Sequence, residues 1–394
     1  MFNILFEIVS YLLREMTMAT NNTFDTSKSD AQASLADPVR VSDFCFGKYA
    51  EYEQELTTRC DAFMKSRSGV LVYRRMRVAE VFSYGCRDMK QSLEWQLGAL
   101  KKSMDYRADV PNFLEPWYGI GTIANAFDID YIWNQGQSPA TKPKFQTIDE
   151  ALAYPFKQVK DTPVGRHTLN MIEYFLDQTR GKLPMSFSDI QSPLNNATYI
   201  VDTSNFLISM IMEPDKVIRF LDLLANLMIG FYKEQEKLIG LVLVKPGHGF
   251  ASSAIFEGFG MSDDNLIMVD AESYLNLVRP AFEKVGKAFS GPVIHSCGNF
   301  SDKTEMLKEI DGLKMVDAAF TPQTDPSPNP ASPFVDSLTD TGIILNARMV
   351  GKTAVVEKTT GELWKPGMRL LAVTYSQTPE EQNDVYRIIH EICQ

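Results

Sequence analysis

The chain has 394 residues, of which 44% are hydrophobic and 23% are charged, a composition that is typical of a folded globular protein and excludes a largely disordered one. Its net charge of −11 comes from 50 acidic and 39 basic residues, and no stretch gathers Lys and Arg into a stripe that would neutralise phosphates, so a nucleic-acid partner is excluded. The five cysteines are irregularly spaced, which indicates a reducing, cytoplasmic location rather than a disulfide framework.

The first 37 residues are predicted to form an extension that precedes the core. Residues 1–16 are apolar, but they are too short and too charged to span a membrane and lack the pattern of a signal peptide. They fit an amphipathic helix, a weak membrane-surface anchor, or translated sequence upstream of the natural start. Residues 19–37 are rich in small polar side chains and are predicted to be a disordered linker. Residues 38–394 are then a single domain.

After a helix predicted over 41–68, short apolar runs alternate with longer segments of helical period. The runs are Val70–Tyr73, Val110–Leu114, Leu183–Phe187, Leu241–Val244, Val293–His295, Met315–Phe320, Ile343–Asn346 and Leu370–Thr374. The helices predicted between and after them include Arg87–Tyr106, Asp215–Ile239, Ala271–Phe289, Asp302–Ile310 and Glu380–Ile392. Apolar strands that alternate with helices predict a parallel sheet covered by helices, and eight repeats favour closure into a (β/α)8 TIM barrel.

An open doubly wound sheet is the alternative fold. Such a sheet normally carries G-x-G-x-x-G after its first strand. The nearest fragment here, Gly119-Ile120-Gly121, lacks the third glycine. The barrel is therefore the preferred architecture.

Polar residues follow the predicted strands, and in a barrel the carboxyl ends of the strands meet at one mouth. They are Arg74 and Arg75, Glu115, Trp117 and Tyr118, Ser188 and Asp189, Lys245 and His248, His295, Ser296 and Cys297, Asn346 and Arg348, and Tyr375. We expect these side chains to surround one cavity, which would be the active site.

His295 and Cys297 stand out because residues i and i+2 at the end of a strand point to the same side. An imidazole nitrogen and a thiolate are both good zinc ligands, but a catalytic zinc site needs a third protein ligand. A buried cysteine beside a hydrogen-bonded histidine is the equally plausible structural interpretation.

The segment Gly291–Phe300, GPVIHSCGNF, resembles the H-x-C-G-N element of the zinc-dependent methylcobamide:thiol methyltransferases of the coenzyme M type. These enzymes are a branch of the uroporphyrinogen decarboxylase superfamily. The resemblance runs in family order from about Val70 to the C-terminus. Its further segments are Glu115–Gly121, Ser188–Leu194, Asp263–Asn265, Ile344–Asn346 and Thr378–Glu380.

The resemblance implies a zinc-assisted methyl transfer between a corrinoid, such as a cobalamin held on a partner protein, and a small thiol. On that interpretation His295 and Cys297 are metal ligands. The acids Glu115, Asp189 and Asp264 orient the substrate or move protons, although helix caps and surface carboxylates are the structural alternative. The predicted substrate-binding residues are Trp117, Tyr118, His248, Asn346, Arg348 and Tyr375.

The sequence departs from the methyltransferase pattern at the third ligand. The family has a cysteine in a G-C-G-like turn before its last T-P-E, whereas this chain has Ala372–Gln377 there, without cysteine. Cys393 lies beyond that turn and is expected to be structural. The remaining candidates for a third ligand are His248, Glu257, Asp264 and Tyr375.

Decarboxylation of uroporphyrinogen or a related carboxylated substrate is the alternative activity. The decarboxylases carry an arginine-rich R-Q-A-G-R-Y element, and this chain offers only Arg74-Arg75-Met76-Arg77, which disfavours a porphyrin precursor as substrate. A second alternative is a barrel that binds a corrinoid or tetrapyrrole without catalysis. A homodimer is compatible with all three activities. The proline-rich stretch 322–333 is expected to project at the mouth as a lid, a docking loop or a plain surface loop.

Overall fold

A computed structural model describes residues 32–134 and 137–394. Its main sheet has six parallel strands in the order β1-β6-β5-β4-β3-β2. The strands are β1 (Gly69–Arg74), β2 (Phe259–Ser262), β3 (Pro292–His295), β4 (Met315–Ala319), β5 (Ile344–Met349) and β6 (Arg369–Thr374).

Short extended segments close this sheet into a ring. The Asp109 N–H donates to the Val72 carbonyl of β1 over 2.8 Å. Isolated parallel bridges then join Leu114 to Met185 and Met185 to Leu243. On the far side, the Gly260 N–H of β2 donates to the Pro246 carbonyl over 3.0 Å. The hydrogen-bonded segments therefore connect β1 to β2 on the side opposite the six-stranded sheet, which closes the ring. The predicted TIM-barrel class is confirmed.

Helices surround the ring. They are α1 (Phe46–Lys65), α2 (Met89–Ser103), α3 (Ile148–Ala153), α4 (Pro163–Thr179), α5 (Pro193–Ile200), α6 (Thr203–Met212), α7 (Pro214–Ile239), α8 (Arg279–Lys287), α9 (Thr304–Leu307), α10 (Ala331–Leu338), α11 (Thr353–Leu363) and α12 (Pro379–Ile392). A further turn, Ala271–Ser273, and a π-helix, Tyr274–Val278, lead directly into α8. Short 3-10 helices span Val41–Asp43, Tyr84–Arg87, Ala124–Phe127, Val159–Asp161, Gly240–Val242, Asp264–Met268 and Ser301–Lys303.

Local chemistry explains where several helices begin. Pro163, Pro193, Pro214 and Pro379 stand in the first turns of α4, α5, α7 and α12, where a missing N–H costs nothing. The Thr378 side chain accepts from the Glu381 N–H and so caps α12, as its sequence indicates. Among the helices that the structure describes, none combines the length and apolar character needed to cross a membrane.

One strand was missed, and one predicted strand is largely a turn. The segment Phe259–Ser262 forms β2, but its glycine weakens the apolar pattern. Glycine is needed because a Cβ at Gly260 would lie 2.3 Å from the Phe250 ring. In contrast, the predicted strand Leu241–Val244 starts in a 3-10 turn, and Leu243 makes its only strand-like contact as an isolated bridge.

Residues 1–31 lie outside the described part of the chain, and with them the predictions for residues 1–16 and for most of the linker 19–37. Its described part, 32–37, packs along the rim, where Ala33 bridges Arg77. The proline-rich stretch also packs closely. Thr321, Thr324, Asp325 and Asn329 are buried, and α10 starts at Ala331.

Two cores follow from the alternation of side chains along the strands. In β1, Val70 and Val72 pack outward against the helices, whereas Leu71 and Tyr73 fill the inside of the barrel. The same inner core contains Val293, Met315, Ile344, Leu371 and Val373 of the other strands. The inward-facing series of each strand therefore leads, two residues at a time, toward the mouth.

Candidate active site

Two residues beyond the inner apolar layer, the next inward-facing position of each strand carries a polar side chain. Val293 is followed by His295, Met315 by Asp317, and Ile344 by Asn346 and then Arg348. In the same way Tyr73 is followed by Arg75, and Val373 by Tyr375. A layer of charged and hydrogen-bonding groups thus covers the inner core, as the strand-end pattern predicts.

His295 and Cys297 lie side by side at the end of β3. The Cys297 Sγ is 3.5 Å from the His295 Nε2. Asp264, in the 3-10 turn that follows β2, brings its Oδ1 to 3.5 Å from the same nitrogen. The Cys297 N–H donates to this Oδ1 over 2.9 Å, which fixes the turn against Asp264. One ligand atom from each of the three residues lies within 4.8 Å of the other two.

Asp317 orients His295 from the opposite side. Its Oδ2 lies 2.5 Å from the His295 Nδ1, and because a carboxylate only accepts, the proton in this contact lies on Nδ1, while Nε2 faces Cys297 and Asp264. Arg348 Nε also donates to Oδ2, over 2.8 Å, and Asn346 donates to Oδ1. Burial tends to raise the pKa of Asp317, but Arg348 and His295 outweigh it and hold the pKa below its usual value.

Sequence analysis did not single out Asp317. Its signal was present, since it is the one charged residue inside the predicted strand Met315–Phe320. A carboxylate in an otherwise apolar strand of a barrel needs a buried partner, and only the neighbouring strands could show that the partners are His295 and Arg348.

Asn346 is held by two other groups of the protein. Its side chain is fully buried, donates to Asp317 and accepts from the Ala251 N–H over 3.2 Å. Both ends of the amide therefore contact protein groups, and Asn346 helps to hold Asp317.

A second group of charges surrounds His248. The His248 Nδ1 lies 2.5 Å from Glu115 Oε2, and its Nε2 lies 3.4 Å from Asp189 Oδ2. Trp117 Nε1 donates to the same Asp189 oxygen over 2.8 Å. Arg75 approaches Glu115 to 3.8 Å. Although burial acts to raise the pKa of Glu115, His248 and Arg75 lower it below its usual value.

Two amides that the sequence analysis missed connect this second group to Asp264. Gln191 Nε2 donates to Asp189 Oδ1 over 2.8 Å, and its Oε1 accepts from Asn195 Nδ2 over 2.9 Å. The same Asn195 nitrogen lies 3.5 Å from Asp264 Oδ2. Both residues lie just before or within α5, where nothing in the local sequence distinguishes them from ordinary helix-start residues.

Arg348 and Tyr375 each present a buried polar atom to this layer. Within the described part of the chain, Arg348 Nη2 and the Tyr375 hydroxyl are shielded from solvent and have no hydrogen-bond partner. An unpaired buried donor costs about 1–3 kcal/mol, so either atom would gain from a group in the cavity that accepts a hydrogen bond.

Tyr118, a predicted substrate-binding residue, and Glu257, a predicted alternative for the third metal ligand, have other surroundings. Tyr118 stacks on His167 with ring centroids 3.7 Å apart and contacts Trp133, in an aromatic cluster beside Trp117. Glu257 is exposed and pairs with Lys314 over 2.8 Å. Among the acidic and histidine candidates for a third metal ligand, Asp264 is therefore the one grouped with His295 and Cys297.

The three grouped donors fit a zinc ion. They supply one nitrogen, one sulfur and one oxygen, which is the type of set that a catalytic zinc uses, with a position left for substrate. The bond from His295 Nδ1 to Asp317 is the carboxylate–histidine support that commonly orients such a ligand. Desolvation of the sulfur by its neighbours and the charge of Asp264 raise the pKa of the Cys297 thiol well above its usual value, although the residue as a whole is exposed at the mouth. A cation would be needed to make it a thiolate at neutral pH.

Comparisons with known proteins agree with this architecture. The family model described as uroporphyrinogen decarboxylase matches residues 70–368. Among solved structures, a methyltransferase from Methanosarcina mazei superposes with a TM-score of 0.60 at 13% sequence identity, over 86% of this chain and 98% of that one. At this identity the likeness shows the fold alone. No curated protein sequence matches the chain.

Proposed function

Because this chain belongs to the uroporphyrinogen decarboxylase family, we propose that it is a zinc-assisted methyltransferase that moves a methyl group between a corrinoid and a small thiol. The observation that carries the proposal is the cluster of Asp264, His295 and Cys297 ligand atoms, all within 4.8 Å of one another. The barrel is also similar in fold to the methyltransferase from Methanosarcina mazei, which makes methyl transfer the first activity to test.

In this proposal, the three residues of the cluster hold the zinc ion. When bound, zinc would act as a Lewis acid and lower the pKa of a substrate thiol, so that a thiolate is available near neutral pH. Asp317 keeps the His295 imidazole in the tautomer that presents Nε2 to this position. Arg348, through its Nε contact with Asp317, keeps that carboxylate ionised.

The group around His248 would handle the substrate's polar atoms and proton. Glu115 and Asp189 hold the His248 ring from both sides, and Trp117 fixes Asp189. A substrate thiol loses one proton when its sulfur takes up a methyl group, and an imidazole between two carboxylates is a suitable acceptor for it. The unpaired Arg348 Nη2 and Tyr375 hydroxyl would bind an acceptor group of the substrate.

The methyl group would come from a corrinoid carried by a partner protein. In the transfer, the bond between the methyl carbon and the corrinoid metal breaks and a carbon–sulfur bond forms. The mouth is the entry point, since the ends of all six strands of the sheet and the proposed metal ligands meet there.

The first experiment is a metal analysis of the purified protein. We expect about one zinc per chain, and we expect Cys297→Ser to lose it because a hydroxyl is a poor zinc ligand. Cys45→Ser is the matched control, since Cys45 is an exposed free cysteine at the start of α1. Zinc bound equally well by Cys297→Ser and the parent protein would contradict the proposal.

Activity is then measured as the loss of thiol when methylcobalamin is supplied as the methyl donor. Turnover should depend on zinc and disappear in Cys297→Ser. Saturable binding of cobalamin without turnover would instead favour the non-catalytic binding barrel.

Decarboxylation of a carboxylated substrate is the second candidate. It is favoured by the description of the matching family and by the two buried arginines at the mouth, Arg75 and Arg348. A protein that contains no metal and releases carbon dioxide from uroporphyrinogen would replace the first proposal with this one.

A further inference from the structure

The two oxygens of the Asp264 carboxylate face different parts of the protein. Oδ1 accepts from the Cys297 N–H over 2.9 Å and lies 3.5 Å from His295 Nε2. Oδ2 lies 3.5 Å from Asn195 Nδ2, in α5. Asp264 thus turns Oδ1 toward the other two proposed metal ligands and turns Oδ2 toward α5.

The orientation of the Asn195 amide is decided by a backbone group. The Asn265 N–H can only donate, and it lies 3.1 Å from Asn195 Oδ1. Asn265 Nδ2 donates to the same oxygen over 2.9 Å. Asn195 Nδ2 therefore points the other way, where it donates to Gln191 Oε1 over 2.9 Å. The atom of Asn195 that faces Asp264 Oδ2 is a donor and not a carbonyl oxygen.

The same contacts fix the backbone beside Asp264. Asn265 directly follows Asp264 in the 3-10 turn Asp264–Met268. In addition to its two bonds to Asn195, Asn265 donates through Nδ2 to Thr198 Oγ1 over 2.8 Å. Asn195 is only 1% exposed, so these bonds are shielded from water. The turn that carries Asp264 is therefore anchored to α5 through the residue that follows it.

A carboxylate held in this way offers one oxygen to an ion. A catalytic zinc site takes three protein ligand atoms in a four-coordinate arrangement and leaves one position for substrate. Larger coordination numbers commonly use both oxygens of a carboxylate. To present both oxygens, Asp264 would have to turn Oδ2 away from Asn195.

We propose that Asn195 is a positioning residue that makes Asp264 a single-oxygen ligand and so keeps one coordination position open for substrate. The inference rests on the proposed function, because the ion belongs to that function. Asn195 does not contact the ion itself. It acts by facing Asp264 Oδ2 with a donor and by holding the backbone of Asn265.

Cobalt(II) is the probe metal, because four-coordinate cobalt(II) absorbs visible light strongly and six-coordinate cobalt(II) absorbs it weakly. Two full-chain variants separate the two contacts of Asn195. Asn195→Asp keeps an oxygen for Asn265 but replaces the donor that faces Asp264. Asn195→Leu removes both contacts at similar side-chain volume.

Asn226 provides the matched controls, Asn226→Asp and Asn226→Leu. It is exposed on α7, and its Nδ2 donates to Asp222 Oδ2 over 3.3 Å. The controls thus make the same substitutions in a helix, at an amide that also faces an aspartate but lies outside the proposed site.

We expect bound cobalt(II) to lose most of its visible absorption in both Asn195 variants. In Asn195→Asp two carboxylates face each other and repel, so Asp264 turns Oδ2 toward the ion. Zinc affinity, measured by competition with a chromogenic chelator, should fall about 10–100-fold in Asn195→Leu. Hydrogen exchange of the 264–268 amides should rise in Asn195→Leu and stay at the parent rate in Asn195→Asp, because only the first variant releases Asn265. Both Asn226 variants should match the parent protein.

Two results would overturn the role of Asn195. One is an Asn195→Asp protein that binds cobalt(II) with the parent spectrum. The other is an Asn195→Leu protein, shown to be folded by thermal unfolding, that keeps the parent spectrum and zinc affinity. In both cases the parent protein binds metal, so the proposed function stands. A parent protein that binds neither metal would overturn this inference and the proposed function together.

Discussion

At the scale of single residues, Asp317 connects the structural and the chemical parts of the site. It is 1% exposed and accepts hydrogen bonds from His295, Asn346 and Arg348. A buried carboxylate with three donors holds each of them at a defined orientation, and its loss leaves Arg348 as a buried charge without a counterion. The His295 ring is therefore oriented by a carboxylate that is itself buried.

We predict that Asp317→Asn weakens zinc binding about 10–100-fold, as is usual when the partner of a ligating histidine is changed. The amide oxygen still accepts from His295 but without the negative charge that favours Nδ1–H. The measurement is a zinc affinity from competition with a chromogenic chelator, alongside thermal unfolding of the metal-free protein.

Asp302→Asn is the control for this variant. Asp302 is exposed in the same β3–α9 connection and pairs with the adjacent Lys303. Its zinc affinity should equal that of the parent protein. If Asp317→Asn bound zinc as tightly as Asp302→Asn does, Asp317 would be a purely structural residue.

At the scale of elements, the segment 109–114 is held in the barrel by side chains as much as by a strand ladder. The Val72 N–H of β1 donates to the Asp109 carboxylate over 2.9 Å. Arg59 of α1 and both Tyr386 and His390 of α12 also donate to this carboxylate. Burial tends to raise the pKa of Asp109, but the bonds from His390 and Tyr386 outweigh it and lower the pKa. Asp109 thus ties two helices to the edge of β1.

We predict that Asp109→Asn lowers the free energy of unfolding by about 2–3 kcal/mol at pH 7, since it weakens a buried, charge-assisted network. A carboxylate with a lowered pKa in the folded protein stabilises the fold above its unfolded pKa of about 4, and this stability is lost as pH falls through the folded value. The difference between parent and variant should therefore narrow below about pH 4. Urea unfolding at a series of pH values measures both effects.

Asp105→Asn tests whether the effect is specific to the network. Asp105 is exposed and lies four residues before Asp109. Its substitution should change the free energy of unfolding by less than about 0.5 kcal/mol. A pH profile of Asp109→Asn that runs parallel to the parent profile down to pH 3 would show that the carboxylate charge does not contribute.

At the scale of the whole molecule, the proposed metal site joins parts of the chain that only the closed barrel brings together. Asp264 follows β2, His295 and Cys297 follow β3, and Asp317 belongs to β4. An ion held by such residues binds the folded barrel and not the unfolded chain. Metal binding should therefore stabilise the whole fold.

We predict that zinc at about 100 times its dissociation constant adds about 2.7 kcal/mol to the stability of the fold, which raises Tm by a few degrees. Calorimetry with zinc and with excess chelator measures the shift. Cys297→Ser should unfold at the same temperature in both conditions, whereas Cys45→Ser should behave like the parent protein. If the parent protein had the same Tm with zinc and with excess chelator, this would argue against a bound ion.

The sequence predicted the alternation of strands and helices because side-chain period is a local property. It also predicted which strand ends carry polar residues, and it placed His295 and Cys297 on one side of the chain from their spacing alone. It failed at β2, where Gly260 is demanded by the approach of the Phe250 ring, which lies elsewhere in the barrel.

Tertiary structure alone decided which polar residues meet. Asp264 and Cys297 are separated by 33 residues, and His295 and Asp317 by 22, so neither pairing leaves a trace in a local pattern. The register of neighbouring strands aligns Ser262 with His295 and His295 with Asp317. The residue types were thus set by the sequence, and their grouping was set by the closure of the barrel, because contacts between strands depend on register and not on distance along the chain.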